Sequence, residues 1–176
     1  DVKQLVNVGI IAAFATLSFI GTLVIRIPIP ATGGYFNLGD TFVMIAALLY
    51  GPLIGGAVGL IGPALADAVG YPQFILATAV VKGLEGALVG IIGGRSTDGT
   101  MVRPVLALLV GIAIIVVGYF VFEAFIYPLL GKTIPFFKVT TVEAALAEIL
   151  PNLMQGVISA LIAFGIWRVF RGRAKS

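Results

Sequence analysis

The sequence holds 176 residues, 60% of them hydrophobic and 11% charged, with a formal net charge of +3 and neither cysteine nor histidine. A soluble domain carries about 25% charged residues, so this composition excludes an ordinary water-soluble fold and places the chain in lipid. The missing residue types exclude disulfides, thiolate and imidazole catalysis and imidazole metal sites, and the P-loop signature of an ATP site is absent.

Apolar stretches near or above 18 residues read as membrane-spanning helices, and period-2 alternation that would suggest a barrel is missing. The first helix is expected from about Leu5 to Ile25. It follows Lys3 but is too long for a signal-peptide core, so it reads as a retained helix. It stops at RIPIPATGGYF, where Pro28, Pro30, Gly33 and Gly34 prevent continuation. The second is expected from Asp40 to Tyr50, the third from Pro52 to Val69 and the fourth from Gln73 to Ile92. After the polar loop GGRSTDGTMVRP the fifth runs from Pro104 to Leu130, and after GKTIPFFKVTT the sixth runs from Val142 to Phe170. Residues 1–176 thus predict an all-α membrane protein, a single bundle of six transmembrane helices. The second helix is short, which suits a tilted or partly interfacial segment, or one half of a re-entrant pair with the third.

Cationic residues set the expected orientation. One side would hold Lys3, Arg95, Arg103, Arg168, Arg171, Arg173 and Lys175, the other Arg26, Lys132 and Lys138. The larger set places both termini in the cytoplasm, and a basic tail that anchors topology needs no nucleic-acid partner.

Small residues recur at helical spacing. Gly9, Ala12, Ala13 and Thr16 share one face of the first helix; Gly51, Gly55 and Gly59 share one on the third, and Gly86 and Gly90 on the fourth. Such stripes let backbones approach closely in lipid. Packing within the bundle suits all of them, and the first-helix patch also suits docking of another membrane subunit.

Polar residues inside the spans fall in the outer half or near the middle under this topology. Thr78, Lys82 and Glu85 lie on one face of the fourth helix, Tyr119, Glu123 and Tyr127 on one face of the fifth, and Glu148, Asn152, Gln155 and Ser159 on one face of the sixth. A charge at the bilayer centre costs about 2.5–3.5 kcal/mol even on an insertion scale, so such groups pair, turn inward or line a wet cavity. Lys82 and Glu85 can pair with each other, or Lys82 can face a pocket with Glu85 holding its charge. Asn152 and Gln155 suit interhelical hydrogen bonds or the same pocket. Asp40 and Asp67 suit helix-end roles. One outward-facing pocket accounts for the three stripes together, with Tyr35, Phe36, Asn37 and Asp40 in a lid loop above it. Phe74, Tyr71, Tyr35 and Phe36 could stack on a ring, so the expected ligand is a small polar aromatic molecule taken up from outside. No charge ring or carbonyl filter of an ion pore is visible.

The segments FNLGDTFVMIAALLYGPLIGGAVGLIGPALAD (36–67), VVKGLEGALVGII (80–92) and LPNLMQGVISALI (150–162) resemble the substrate-binding S component of an energy-coupling-factor (ECF) vitamin transporter. The resemblance implies a six-helix fold in the cytoplasmic membrane of a prokaryote, no enzymatic activity and no cofactor. It implies capture of a small B-vitamin or precursor, and partnership with a transmembrane coupling subunit and two ATPase subunits that drive uptake. The polar stripes supply the expected substrate contacts, Lys82, Asn152, Gln155, Glu123 and Glu148, with Thr78 and Tyr119 behind them. The resemblance also makes the Gly9, Ala12, Ala13 and Thr16 face the docking face. PNLMQG is similar to the Pro-Asn-x-x-Lys-Gly pattern of riboflavin-binding members, with Gln155 in the lysine position. VVKGLEG and LGD look closer to hydroxymethylpyrimidine or pyridoxine-like members, so these come first and riboflavin next. The competing classes are a stand-alone secondary carrier, which an internal inverted repeat would support, and an intramembrane enzyme using Glu123 or Glu148 as acid or base.

Overall fold

The computed structural model describes residues 1–95, 100–137 and 140–173, with residues 172 and 173 described by backbone alone. Lys138 and Lys175, assigned above to opposite sides, lie outside the described residues. Four helical runs are long and apolar enough to cross a bilayer: Val2–Val24, Pro72–Gly93, Val102–Gly131 and Val142–Arg171. The elements are α1 (Val2–Val24), a hairpin of β1 (Ile27–Ile29) and β2 (Gly34–Phe36), α2 (Asp40–Tyr50), α3 (Pro52–Ala68) and α4 (Ile75–Gly93). They continue with α5 (Val102–Val121), α6 (Tyr127–Gly131) and α7 (Val142–Arg173).

At about 1.5 Å per residue, α2 is about 16 Å long, half of a bilayer core of about 30 Å. It is enclosed by the other helices. Val43, Met44, Ala46 and Ala47 are all fully buried, and α2 packs on α1, α3, α4 and α7 at once. It is the rod around which the bundle is built. Gly51 at φ 89° turns the chain from α2 directly into Pro52, the first residue of α3.

The glycine stripes of α3 and α4 face each other. A Cβ on Gly55 would sit 2.6 Å from the Gly86 carbonyl oxygen, and one on Gly90 would sit 2.5 Å from the Pro52 backbone. No side chain larger than hydrogen fits there, and α3·α4 is the most extensive helix pair. The stripe on α1 behaves differently. Its packed face is Ala15, Ser18 and Thr22, with Ala15 and Ser18 against Gly62 of α3. Gly9, Ala12, Ala13 and Thr16 are exposed, and a Cβ on Gly9 would meet nothing within 4 Å. Packing inside this chain therefore does not explain that patch.

The lid region is more ordered than a loop. Ile27, Pro28 and Ile29 pair with Phe36, Tyr35 and Gly34 in antiparallel register, and Gly33 takes a positive φ of 72° in the turn. α5 passes into α6 through a π-turn, Phe122–Ile126. At the opposite end Arg171 donates to the Thr100 carbonyl, and the Arg95 amide donates to the Leu48 carbonyl. These bonds tie the α4–α5 connection to the ends of α2 and α7.

Candidate functional site

The cavity is built from the ends of five helices and the hairpin. α1 contributes Thr22, β2 Gly34 and Tyr35, the following turn Asn37, and α3 Pro63 and Asp67. Phe74, Thr78 and Lys82 enter from α4 and its 3₁₀ lead, Tyr119 and Glu123 from α5 and the π-turn, and Glu148, Asn152 and Gln155 from α7. The non-atom space among these residues is about 380 Å³ with open solvent at the mouth included, and only about 20 Å³ of it admits the centre of a water molecule.

Lys82, Asn152, Gln155, Glu123, Glu148, Thr78 and Tyr119 all line this one cavity, with Tyr35 and Asn37 of the lid. Phe36 is half-buried on the hairpin and does not line the cavity. Asp40 is not lid but floor: it is fully buried and its carboxylate lies 2.5 Å from Lys82 Nζ. This corrects two expectations at once. Lys82 pairs with Asp40 across helices rather than with Glu85 along its own, and Asp40 serves more than a helix start. Glu85 is fully buried below, with neither carboxyl oxygen hydrogen-bonded to a described group. Tyr127 leaves its stripe, because the π-turn inserts a residue into the helical register. It packs instead among Phe74, Phe122 and Phe137.

Gln155 joins floor to lid. Its Nε2 donates to Asp40 Oδ2 at 2.8 Å, and its Oε1 accepts from the Asn37 amide at 2.9 Å. Asn37 Oδ1 in turn accepts from the Gly39 amide at 2.9 Å, and Ser18 donates to the Gly39 carbonyl at 3.0 Å. Four elements thus meet through one glutamine. Lys82 also sits over the Tyr119 ring at 5.2 Å, and the Tyr119 and Thr78 hydroxyls are 3.0 Å apart.

The mouth is closed by a second cluster. The Arg26 guanidinium lies 4.8 Å from the Tyr35 ring centre and 5.2 Å from that of Tyr71. It donates to the Ala66 and Val69 carbonyls at the end of α3, where helix-end carbonyls attract a cation. The two tyrosine rings are 4.4 Å apart, and Tyr35 donates its hydroxyl to Asp67. Burial, and then the Asp67 charge, push the Tyr35 phenol up from its ordinary value.

Glu123 and Glu148 line the same cavity from the π-turn and α7, and both are almost fully buried. The Glu123 carbonyl accepts from Thr140, and Glu148 Oε1 backs onto Gly34 of the hairpin. No cluster of ligating residues suited to a metal ion occurs among the described residues.

Sequence reasoning missed Thr22, Gly34, Pro63 and Asp67 as cavity residues. Thr22 had a signal, as the polar end of the Ala15, Ser18, Thr22 stripe. Gly34 and Pro63 had none beyond their punctuation of turn and helix.

The chain matches the family described as "ECF-type riboflavin transporter, S component" over residues 1–171. It is 37% identical to an uncharacterized protein of Pyrococcus woesei over 152 residues, 86% of this chain and 93% of that one. It is 34% identical to a UPF0397 protein of Exiguobacterium over 94 residues, 53% of this chain and 49% of that protein. The chain thus spans about half the length of its UPF0397 relatives. A solved structure described as "Structure and mechanism of the S component of a bacterial ECF transporter" superposes with a TM-score of 0.70 at 16% identity, covering 98% of this chain and 99% of the other.

Proposed function

The chain belongs to the ECF-type riboflavin transporter S-component family, and from that premise we propose that it captures a small B-vitamin or precursor in the cavity beneath the β1–β2 hairpin. The family is one of transporter components, not enzymes, and the chain is a multi-pass membrane protein.

The observation that carries the reading is convergence. Seven polar residues from three helices and two from the hairpin region surround one covered void in an otherwise apolar bundle. The proposed contacts are Lys82, Asn152, Gln155, Glu123 and Glu148, backed by Thr78 and Tyr119, with Phe74 as a stacking wall. The hairpin with Tyr35 and Asn37 is the lid, and opening it requires release of the Arg26 and Gln155 contacts. In this reading the chain is a single six-span domain in the cytoplasmic membrane of a prokaryote, with both termini in the cytoplasm. A coupling subunit docks on Gly9, Ala12, Ala13 and Thr16, and two ATPase subunits supply the energy.

Hydroxymethylpyrimidine- or pyridoxine-like ligands come first, because the cavity is rich in carboxyl acceptors. Riboflavin comes second, favoured by the family's own description. The test is native mass spectrometry of the protein purified from its host, followed by uptake with and without the coupling and ATPase subunits. A bound vitamin and uptake that needs all four chains support the reading. An empty cavity together with uptake by this chain alone would instead favour a secondary carrier.

A further inference from the structure

We infer that the end of the bundle opposite the hairpin carries a site for the headgroup of an anionic phospholipid, built where α5 begins and α7 ends. The site lies far from the cavity and does not depend on what the cavity binds.

Two arginines define it. Arg171, near the end of α7, holds its guanidinium 5.0 Å from the Trp167 ring centre and donates through Nη1 to the Thr100 carbonyl at 3.1 Å. Arg103, in the first turn of α5, donates through Nε to the Ile92 carbonyl on the last turn of α4 at 3.0 Å. Thr100 and Arg103 are three residues apart, so the two guanidiniums are fastened around one turn of chain. Each fork is held by one nitrogen and keeps others for a ligand. Arg103 is exposed and has its two terminal nitrogens to offer. Arg171 Nη2 is shielded from water and has no hydrogen-bond partner among the described residues. Neither arginine pairs with a carboxylate among those residues.

The helix start between them points the same way. α5 is 20 residues long, and Met101 before it makes no side-chain cap bond. The Val102 and Arg103 amides are therefore open at the positive end of the helix dipole, where anions are favoured.

Cations at this end are expected for orientation alone. A lysine or arginine anywhere on that side satisfies that rule. It does not account for two guanidiniums fixed by backbone carbonyls beside one helix start, an arrangement that offers paired N–H groups to phosphate oxygens. The occupant is a lipid because of what flanks the arginines. Val102, Val105 and Leu106 of α5 and Val169 and Phe170 of α7 are all exposed large apolar side chains. An amphiphile satisfies both halves, with its phosphate on the arginines and its acyl chains along this apolar surface. Basic pockets between helix ends on the cytoplasmic side suit anionic headgroups, and this is the end proposed above to face the cytoplasm.

The test is native mass spectrometry of the full chain in detergent, titrated with phosphatidylglycerol or with phosphatidylcholine of the same acyl chains. Wild type should retain phosphatidylglycerol about tenfold better. Arg103→Lys and Arg171→Lys keep the charge and lose the fork, and each should lose most of that preference. Lys132→Gln, at the hairpin end, removes a charge outright and should keep the preference. Glycerol phosphate, the headgroup without tails, should not displace the lipid at equal concentration. Melting temperatures check folding, and the wild-type comparison of the two lipids stands even where a variant folds poorly. Equal retention of both lipids by wild type, an undiminished preference in both lysine variants, or the same loss in Lys132→Gln overturns the site. Displacement by glycerol phosphate would make it a free-phosphate site and overturn the lipid assignment.

Discussion

Lys82 on α4 lies 2.5 Å from Asp40 at the start of α2, and both side chains are almost wholly buried. The pair ties the central rod of the bundle to one wall of the cavity. Removing one partner leaves a buried charge uncompensated, whereas replacing both removes the desolvation penalty as well. Lys82→Met should therefore destabilise the protein by about 3–5 kcal/mol, and the double change with Asp40→Asn should recover much of that loss. Thermal melting of the three variants in one detergent is the check. A single variant as stable as wild type would mean that this pair contributes nothing to holding α2 in place.

Gln155 bonds both Asp40 and the Asn37 backbone, so it couples floor and lid. In Gln155→Leu the Asn37 amide and one Asp40 oxygen lose their partners, at about 1–3 kcal/mol for each buried group. The loss should be felt first by the lid, which has few buried apolar contacts to fall back on. Amide hydrogen exchange at residues 33–39 should speed up more than exchange in α2. Uniform acceleration across the bundle would show that Gln155 supports the fold rather than the lid.

How much of this was legible beforehand follows from the forces involved. Helix positions were legible because hydrophobic length and proline or glycine stops are local signals. The burial of α2 was not, because in lipid an apolar surface looks the same whether it faces protein or acyl chains. The polar stripes were legible for the converse reason: a charged or amide side chain cannot be left facing lipid. Their partners were less so. Asp40 has a ready local explanation as a helix-start carboxylate, and Thr22 back-bonds to Ser18 like a lipid-facing threonine would. The π-turn in FEAFI carries no proline or glycine to announce it.

The Tyr35 phenol is held above its ordinary value of 10.0 by burial and by Asp67. The sign follows from proton counting. Below about pH 10 the hydroxyl is protonated in the latched and the open lid alike. Above it the open form releases the proton while the latched form keeps it, so the latch weakens as pH rises. Ligand dissociation should quicken above about pH 10 in wild type. In Tyr35→Phe it should be fast at every pH and lose that dependence, while Asp67 forfeits a hydrogen bond. A stopped-flow dissociation series with tyrosinate absorbance as a second readout checks this. A flat profile in wild type would remove Tyr35 from the latch.

The two faces of α1 make opposite predictions from the same kind of substitution. Ala13 is exposed beside Gly9, Ala12 and Thr16, whereas Ala15 is 7% exposed and seated on Gly62 of α3. Ala15→Leu overpacks a closed contact and should cost about 1–3 kcal/mol. Ala13→Leu falls on an exposed face and should change stability by no more than about 0.5 kcal/mol. It should also leave vitamin affinity unchanged, since α1 reaches the cavity only through Thr22. Close approach of a partner helix, however, depends on that small-residue face, so uptake reconstituted with the coupling and ATPase subunits should collapse in Ala13→Leu. Normal uptake would mean that this stripe faces lipid and that the partner sits elsewhere. Lost affinity would mean instead that α1 shapes the pocket through more than Thr22.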